Sequence, residues 1–217
     1  MKLSLKKEEL LSYVSKQINN TIPDGKIITN TILRPSFNLS LERLEFCFSK
    51  INLKYCRENN QVVFNHLYSD QYSTFLYFLS NSAYKNNLNK NVCEKIYCLN
   101  KYLNAIDIYF EVELPNIFLL IHPLGTILGR AKYSDFLVVY QQCTVGSNKM
   151  KRPVIGKYVT LRPNSSILGN CKVSDNCELG AKSLLVDKNL NKDSLYTGNP
   201  RKFLIKKNKI FKKSFWV

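Results

Sequence analysis

The sequence predicts an α+β fold: an N-terminal helical domain (residues 1–105), then a parallel β-helix (residues 106–190), then a C-terminal cap with a basic tail (residues 191–217). Two periodicities predict it. Apolar residues recur at helical spacing in the first domain, whereas between residues 121 and 186 an apolar residue falls at every sixth position, with one interruption. A period of six fits neither an α-helix nor an alternating strand. It indicates a solenoid in which each hexad forms one short strand and one corner.

Four amphipathic helices are predicted in the first domain, which is interpreted as all-helical. The first spans residues 1–20, and a short turn-flanked, β-branched stretch at residues 25–35 follows it. The second helix is predicted to begin near Ser40 and the third near Asp70, because both side chains can accept N-terminal backbone N–H groups. The apolar positions that support the four helices are Leu10, Leu11, Val14 and Ile18, then Leu41, Leu44, Phe48 and Ile51, then Tyr72, Phe75, Leu76 and Leu79, then Val92, Ile96, Leu99 and Leu103.

The β-helix is predicted to start with a strand-like stretch over residues 106–120, in which IDIYFEVEL alternates and Pro115 suits a corner. A polar and basic insertion, residues 147–153, interrupts the hexads once. Repeats accept an insertion where it leaves a coil at a corner, and such loops often carry function. The sixth-position residues are Ile121, Ile127, Tyr133, Val139, Val145, Ile155, Leu161, Ile167, Val173, Leu179 and Leu185.

Composition bounds the class of protein. The chain is 45% hydrophobic and 12% aromatic, which is typical of a globular protein and excludes a disordered one. No apolar run is long enough for a transmembrane helix, and no export signal is recognisable at the N-terminus. Seven cysteines lack any Cys-x-x-Cys pair, so we expect free, buried thiols in a cytoplasmic protein, with neither disulfides nor a metal.

The net charge of +16 admits two interpretations. A basic surface attracts phosphates, acidic polymers or anionic lipids, but a lysine-rich coding bias gives the same count. No nucleic-acid motif accompanies the charge, so nucleic acid is not a predicted partner. The tail mixes lysines with Ile210, Phe211, Phe215 and Trp216, which leaves open either a short packed helix or a peripheral membrane contact.

Several motifs follow one another in a particular order. Asp107 lies in IDI, His122 follows 15 positions later in HPLGTILG, and SILGN, LGAKS and TGNPRK come after the insertion. Over residues 105–203 this order resembles that of serine acetyltransferases, hexapeptide-repeat proteins with a VDI strand, a catalytic histidine at that distance, an extended loop, ILGN, IGAGS and AGVPAR. Over residues 1–104 the resemblance is only of kind. It implies a left-handed β-helix, acetyl-CoA as donor, and a homotrimer that could pair into a hexamer.

The resemblance implies that His122 is the general base and that Asp107 holds its imidazole. Acyl transfer to an alcohol requires removal of the hydroxyl proton as the oxygen attacks, and histidine suits that task. A carboxylate on the second ring nitrogen would fix the tautomer, and the backbone N–H at Gly146 is the candidate oxyanion donor. The alternative is a structural histidine and a solvated aspartate.

The resemblance also implies a groove for coenzyme A beside the coils. Small residues at corners are predicted to contact the pantetheine arm: Gly146, Ser165 and Ala181. Basic residues are predicted to meet the nucleotide phosphates: Lys182, Arg201 and Lys202. The alternative is that these six are ordinary corner and surface residues.

Two departures from the family bear on the acceptor. Ile121 stands where the family has an aspartate that helps hold the serine amino group, and Lys151-Arg152-Pro153 stands where its loop has Arg-His-Pro. Lys151 and Arg152 are therefore predicted to contact an altered acceptor, a sugar or related hydroxyl compound in surface-polysaccharide synthesis. The alternatives are serine O-acetylation for cysteine synthesis and a non-catalytic β-helix scaffold with a basic binding surface. His66 is either a satisfied histidine of the helical domain or one that reaches the acceptor.

Overall fold

The computed structural model describes residues 1–208 and 215–217. The N-terminal part is built of α1 (Lys7–Thr21), α2 (Asn30–Ser49), α3 (Ser69–Lys85) and α4 (Lys90–Asn104). Three short strands and a 3-10 turn accompany these helices: β1 (Lys2–Leu3), the turn (Lys54–Cys56), β2 (Arg57–Glu58) and β3 (Gln61–Phe64). They pair in the order β1-β3-β2, so this domain is not all-helical as predicted.

Three parallel sheets form the rest of the described chain. Sheet A consists of β4 (Phe118–Leu120), β7 (Leu137–Val139), β10 (Thr160–Leu161), β13 (Glu178–Leu179) and β15 (Ser194–Asn199), with β16 (Lys202–Lys207) antiparallel at its edge. Sheet B consists of β5 (Ile127–Leu128), β8 (Thr144–Gly146), β11 (Ser166–Leu168) and β14 (Leu184–Val186). Sheet C consists of β6 (Lys132–Tyr133), β9 (Val154–Ile155) and β12 (Lys172–Val173). Successive strands along the chain belong to sheets A, B and C in turn. The structure confirms the predicted fold, a helical domain followed by a left-handed β-helix of about 4 turns.

The hexad residues stack inside the coils, as the period predicts. From Val139 onward each is at most 1% exposed, and the register pairs Val139 with Leu161 and Leu161 with Leu179. The first two predicted positions are wrong by one residue: Ile121 is only partly buried and Ile127 is 46% exposed. The buried residues there are Leu120 and Leu128. They lie eight positions apart because the corner between them is two residues longer than a hexad allows.

Helix α2 begins ten residues before the predicted start. Its N-cap is Thr29, whose side chain accepts the Ile32 N–H at 3.4 Å, so most of the stretch predicted as turn and β-branched is helical. Pro35 lies in the second turn, where its missing N–H removes one helical hydrogen bond near the end. Ser40 is fully buried in mid-helix and its hydroxyl donates to the Phe37 carbonyl at 2.7 Å. Such a back-bond satisfies a serine that is not a cap.

In the alternating stretch after α4, IDIYFEVEL, the sequence predicts correctly which side chains are buried. It wrongly predicts that the stretch pairs as a β-strand. Its apolar members are all at most 5% exposed: Ile106, Ile108, Phe110, Val112 and Leu114. Only Asp107 forms a ladder bridge, to Ile127. Helix α3 supplies the other backbone partners, because Tyr77 Oη donates to Val112 C=O at 2.8 Å and accepts from Leu114 N–H at 2.9 Å. Side chains of a helix here replace a neighbouring strand.

Three smaller predictions concern thiols, His66 and the tail. All seven cysteines are free and six are buried, as predicted. His66 Nδ1 lies 2.8 Å from Ser4 Oγ and its ring packs on Tyr13, so it is satisfied within the helical domain. Trp216 is 8% exposed, bridges Ile51 and packs on Phe136, and the Phe215 carbonyl accepts the Asn52 N–H at 2.7 Å. The other two apolar tail residues singled out above, Ile210 and Phe211, lie outside the described residues. Among the helices described, none is long and apolar enough to cross a membrane.

Candidate functional site

His122 lies at the corner between sheet A and sheet B, directly after β4. Its backbone φ is 48°, in the left-handed region, and that of Gly125 is 70°. The Leu124 N–H donates to the His122 carbonyl at 2.8 Å, which closes the turn. The side chain of His122 is 75% exposed, so the corner presents the imidazole to solvent.

A buried carboxylate from the helical domain faces this histidine. Asp70, in the first turn of α3, has a side chain only 9% exposed. Its Oδ2 accepts the His122 backbone N–H at 3.0 Å and lies 3.7 Å from His122 Nδ1. The second distance is too long for a hydrogen bond, so the backbone anchors a carboxylate whose charge faces the ring. Asp70 is therefore not the predicted N-cap, a position held by Tyr68.

Asp107 is held by helix α4 and not by His122. Its Oδ1 accepts the Tyr97 hydroxyl and its Oδ2 accepts the Lys101 ammonium, both at 2.7 Å. Burial opposes its ionisation, but the hydrogen bonds from Lys101 and Tyr97 outweigh that effect, and the pKa of the Asp107 carboxyl is lowered. Both side chains are described, and no hydrogen bond or ion pair joins them. The predicted His122–Asp107 pair is thus absent from the single chain, because Asp107 faces outward on sheet B beneath α4.

The outer face of sheet B forms a groove of about 570 Å³. Asp107 pairs with Ile127, Ile127 with Thr144, and Thr144 with Ser166, so these residues form an outward column one coil apart. The groove residues that the sequence predicted or that border them are Asp107, Ile127, Gly129, Thr144, Gly146, Met150 and Arg152. A Cβ at Gly129 would stand 2.9 Å from the Val145 carbonyl, so the coil contact requires glycine there. At Gly129 the groove is therefore lined by backbone alone.

The insertion forms the far wall of this groove. Asn148 and Lys151 exchange both backbone hydrogen bonds, at 3.1 and 2.9 Å, around Lys149 and Met150. Arg152, directly after the Asn148–Lys151 pair, lines the groove, and both Arg152 and Lys151 are exposed. The structure thus brings Arg152, Gly146 and Asp107 to one face.

The residues predicted to bind the donor do not all lie in the groove on sheet B. Two positions after the paired residues Leu120, Val139, Leu161 and Leu179 lie His122, Gln141, Pro163 and Ala181, one above another at the same corner. Three coils at about 4.8 Å each separate Ala181 from His122 by roughly 14 Å. Exposed Lys182 follows Ala181, and the Gly198 N–H donates to the Ser183 hydroxyl at 3.2 Å. The turn bearing Arg201 and Lys202 therefore adjoins this end of the corner.

Ser165 does not lie on the surface. It is 0% exposed, and its hydroxyl lies 3.7 Å from the buried thiol of Cys143. Its side chain points into the coil because it fills a core corner position. The prediction that Ser165 contacts the pantetheine arm is wrong for this reason.

Sequence reasoning missed Asp70 and the two α4 residues that hold Asp107. No spacing in the sequence relates Asp70 to His122, since they are 52 positions apart and meet only when α3 packs on the first coil. Chemically, the corner combines an exposed imidazole with a buried anion beside it, and the groove on sheet B is lined by other residues than His122. Such a site can accept a proton from a hydroxyl group while binding a cation.

The fold and the resemblance are those of hexapeptide-repeat acyltransferases. Within that class the chain is similar to serine acetyltransferases. The enzyme of Staphylococcus epidermidis is 27% identical over 124 residues, which span 55% of this chain and 58% of the relative. That of Staphylococcus aureus is 25% identical over 93 residues, 41% of this chain and 44% of the relative. The matches thus span about half the length of these relatives, and no family model matches the chain.

Solved structures show the same fold over nearly the whole chain. The serine acetyltransferase of Neisseria gonorrhoeae aligns with a TM-score of 0.72 at 17% identity and covers 97% of this chain and 83% of that one. That of Brucella abortus in complex with coenzyme A aligns with a TM-score of 0.69 at 18% identity, over 94% of this chain and 83% of that one. The helical domain is included in these alignments, so the likeness extends beyond residues 105–203.

Proposed function

We propose that the protein is an acetyl-CoA-dependent O-acetyltransferase with His122 as general base. The relatives reported above are serine acetyltransferases, and a structural neighbour binds coenzyme A. In the proposed reaction, His122 takes the hydroxyl proton as the acceptor oxygen attacks the thioester carbonyl, and the coenzyme A thiol leaves. The groove on sheet B is the proposed path of the donor. Gly146 remains the proposed oxyanion donor.

We further propose serine, or an amino alcohol like it, as the acceptor. The observation that carries this proposal is the position of Asp70. This chain has Ile121 where the family has an aspartate directly before the histidine. That difference alone favoured a sugar as the acceptor. Asp70 restores an anion within 3.7 Å of the imidazole, in a buried position where an ammonium group would complete its pairing. The comparisons also favour serine over a sugar.

Arg152 is the proposed partner of the acceptor carboxylate. It lines the groove, and among the described residues no carboxylate pairs with its guanidinium. A planar guanidinium can hold a carboxylate by two hydrogen bonds. Lys151, which is exposed on the hairpin, is proposed to add a second electrostatic attraction for the acceptor carboxylate.

Acetyl transfer from acetyl-CoA to serine, followed through the released thiol, tests this proposal. Serine should give turnover, whereas uncharged sugar hydroxyls should give little. Robust turnover on sugars with none on serine would restore the first interpretation. A homotrimer remains the expected assembly, because the groove on sheet B is open on one side in the single chain; an active monomer in sedimentation would contradict that model.

A further inference from the structure

The inserted hairpin, Ser147–Pro153, is hydrogen-bonded to the body of the β-helix near both of its ends, through the Asn148 side chain and through the Pro153 carbonyl, which accepts the Lys132 N–H at 3.0 Å. Lys149 and Met150, at its tip, both have left-handed φ angles, 48° and 64°, as a two-residue hairpin turn requires. Met150 is 86% exposed, so its side chain buries little surface in the single chain. What fixes the hairpin must therefore lie at its base.

Asp187 is the residue at that base. It follows β14 at the same corner, two coils further along, since Gly146, Leu168 and Val186 are register partners. One carboxylate oxygen, Oδ2, accepts the Asn148 side-chain N–H at 2.8 Å. The other, Oδ1, accepts the Asn170 backbone N–H at 2.7 Å. A single carboxylate therefore joins the hairpin to both coils below it.

Gly169, between Asp187 and the hairpin, makes this arrangement possible. Its φ is 81°, and a Cβ there would stand 2.2 Å from Asp187 Oδ1 and 2.7 Å from Asn148 Cβ. Any side chain would displace both partners. The backbone N–H of Asn170 and the Asn148 amide lower the pKa of Asp187, with Lys149 and Lys151 adding to the effect. The anchor is thus an anion beneath a basic hairpin.

We infer that Asp187 is a positioning residue that holds the hairpin, and with it Arg152, against the groove. Arg152 stands one residue after the hairpin pair, so a hairpin free to swing would carry its guanidinium away. The kinetic consequence rests on the proposed function; the conformational one does not.

Asp175 provides a matched control. Its Oδ1 accepts the Lys157 N–H at 2.8 Å, and a Cβ at Gly156 would stand 2.6 Å from that oxygen. This repeats the glycine–aspartate contact of Gly169 and Asp187 at another corner. It carries no hairpin, so Asp175→Ala removes the coil contact alone.

The test compares Asp187→Ala with Asp175→Ala by limited trypsin digestion of the folded chain. Cleavage after Lys149 and Lys151, followed by mass spectrometry, should be about tenfold faster in D187A than in the wild type, because a charge-assisted hydrogen bond is lost. D175A should cleave at the wild-type rate at these positions. Asn148→Ala should match D187A, and the double variant should be no faster than either alone. Equal cleavage in D187A and D175A would overturn the inference.

Kinetics give the second measurement. In D187A the KM for serine should rise about tenfold, with kcat within about twofold, because binding and not proton transfer is disturbed. Asp187→Glu should recover part of the loss. If a variant has a freely cleaved hairpin but a normal KM for serine, Asp187 holds the hairpin but does not affect acceptor binding. If the wild type shows no turnover, the proposed function fails while the digestion still decides the anchor.

Discussion

Two carboxylates flank the candidate site, and they differ in what holds them. Asp70 is 9% exposed and is anchored by a backbone N–H, whereas Asp107 is 30% exposed and is bound by Lys101 and Tyr97. Among the described residues no lysine or arginine forms an ion pair with Asp70. Its charge therefore remains available to His122 and to a ligand, while that of Asp107 is already compensated. The carboxylate of the site that has no lysine or arginine ion-pair partner among the described residues therefore comes from the helical domain and not from the neighbouring coil.

The largest effect is expected from replacing His122, whose imidazole lies beside Asp70. His122→Ala should lower the acetylation rate by about 10²–10⁴-fold, because a positioned general base contributes that much. Thiol release with serine as acceptor measures it. His66→Ala is the control, since His66 is bonded to Ser4 in the helical domain, and it should retain the wild-type rate. An unchanged rate in H122A would remove His122 as the general base.

The comparison itself is tested at Asp70. Asp70→Asn keeps an acceptor for the His122 N–H but removes the charge, so the KM for serine should rise roughly 10–100-fold, as expected when a charged hydrogen-bond partner is lost. A hydroxyl acceptor without an amine should be affected far less. Steady-state kinetics on both acceptors give the answer. Equal losses on both would instead assign Asp70 to the imidazole.

Asp107 should give the smallest effect, seen in stability. Asp107→Asn breaks a partly exposed pair with Lys101, so the free energy of unfolding should fall by less than about 1 kcal/mol at pH 7. Because the folded pKa is lowered, the stabilisation is present above the usual value of 3.8 and disappears as the pH falls below it. Urea titrations of wild type and variant at pH 7 and below pH 3.8 measure this. Lys101→Met should give the same loss without adding to it; a large fall in kcat in D107N would restore the predicted pairing.

The repeat could be predicted from the sequence because its cause is local. Each hexad buries one residue between identical neighbours, so the period fixes which side chains from Val139 to Leu185 face inward. The prediction fails in the first coil, where Leu120 and Leu128 take the core. There the corner is lengthened at His122, and the coil packs on α3 instead of on another coil.

The site was only half predictable for the same reason. The motifs single out His122, Gly146 and Arg152 as candidates, and the structure shows that Gly146 and Arg152 line one groove. They do not reveal Asp70, since its contact with His122 joins two domains. They assign Ser165 to the surface although it is 0% exposed, because motif position does not report which way a corner side chain points. The predicted start of α2, near Ser40, is ten residues too late, because the capping Thr29 begins the helix before Pro35.

The packing of α3 on the first coil has a consequence for fluctuations. Tyr77 and Asn81 bind the backbone of Val112 and Phe110, and Cys47 of α2 donates to Phe118 C=O. Within the described part of the chain, no helix forms a hydrogen bond to β14. In a solenoid, opening then propagates inward from the less supported end. Amide hydrogen exchange should be slowest around β4 and faster around β14, so the end with Lys182 can open while the corner with His122 stays closed.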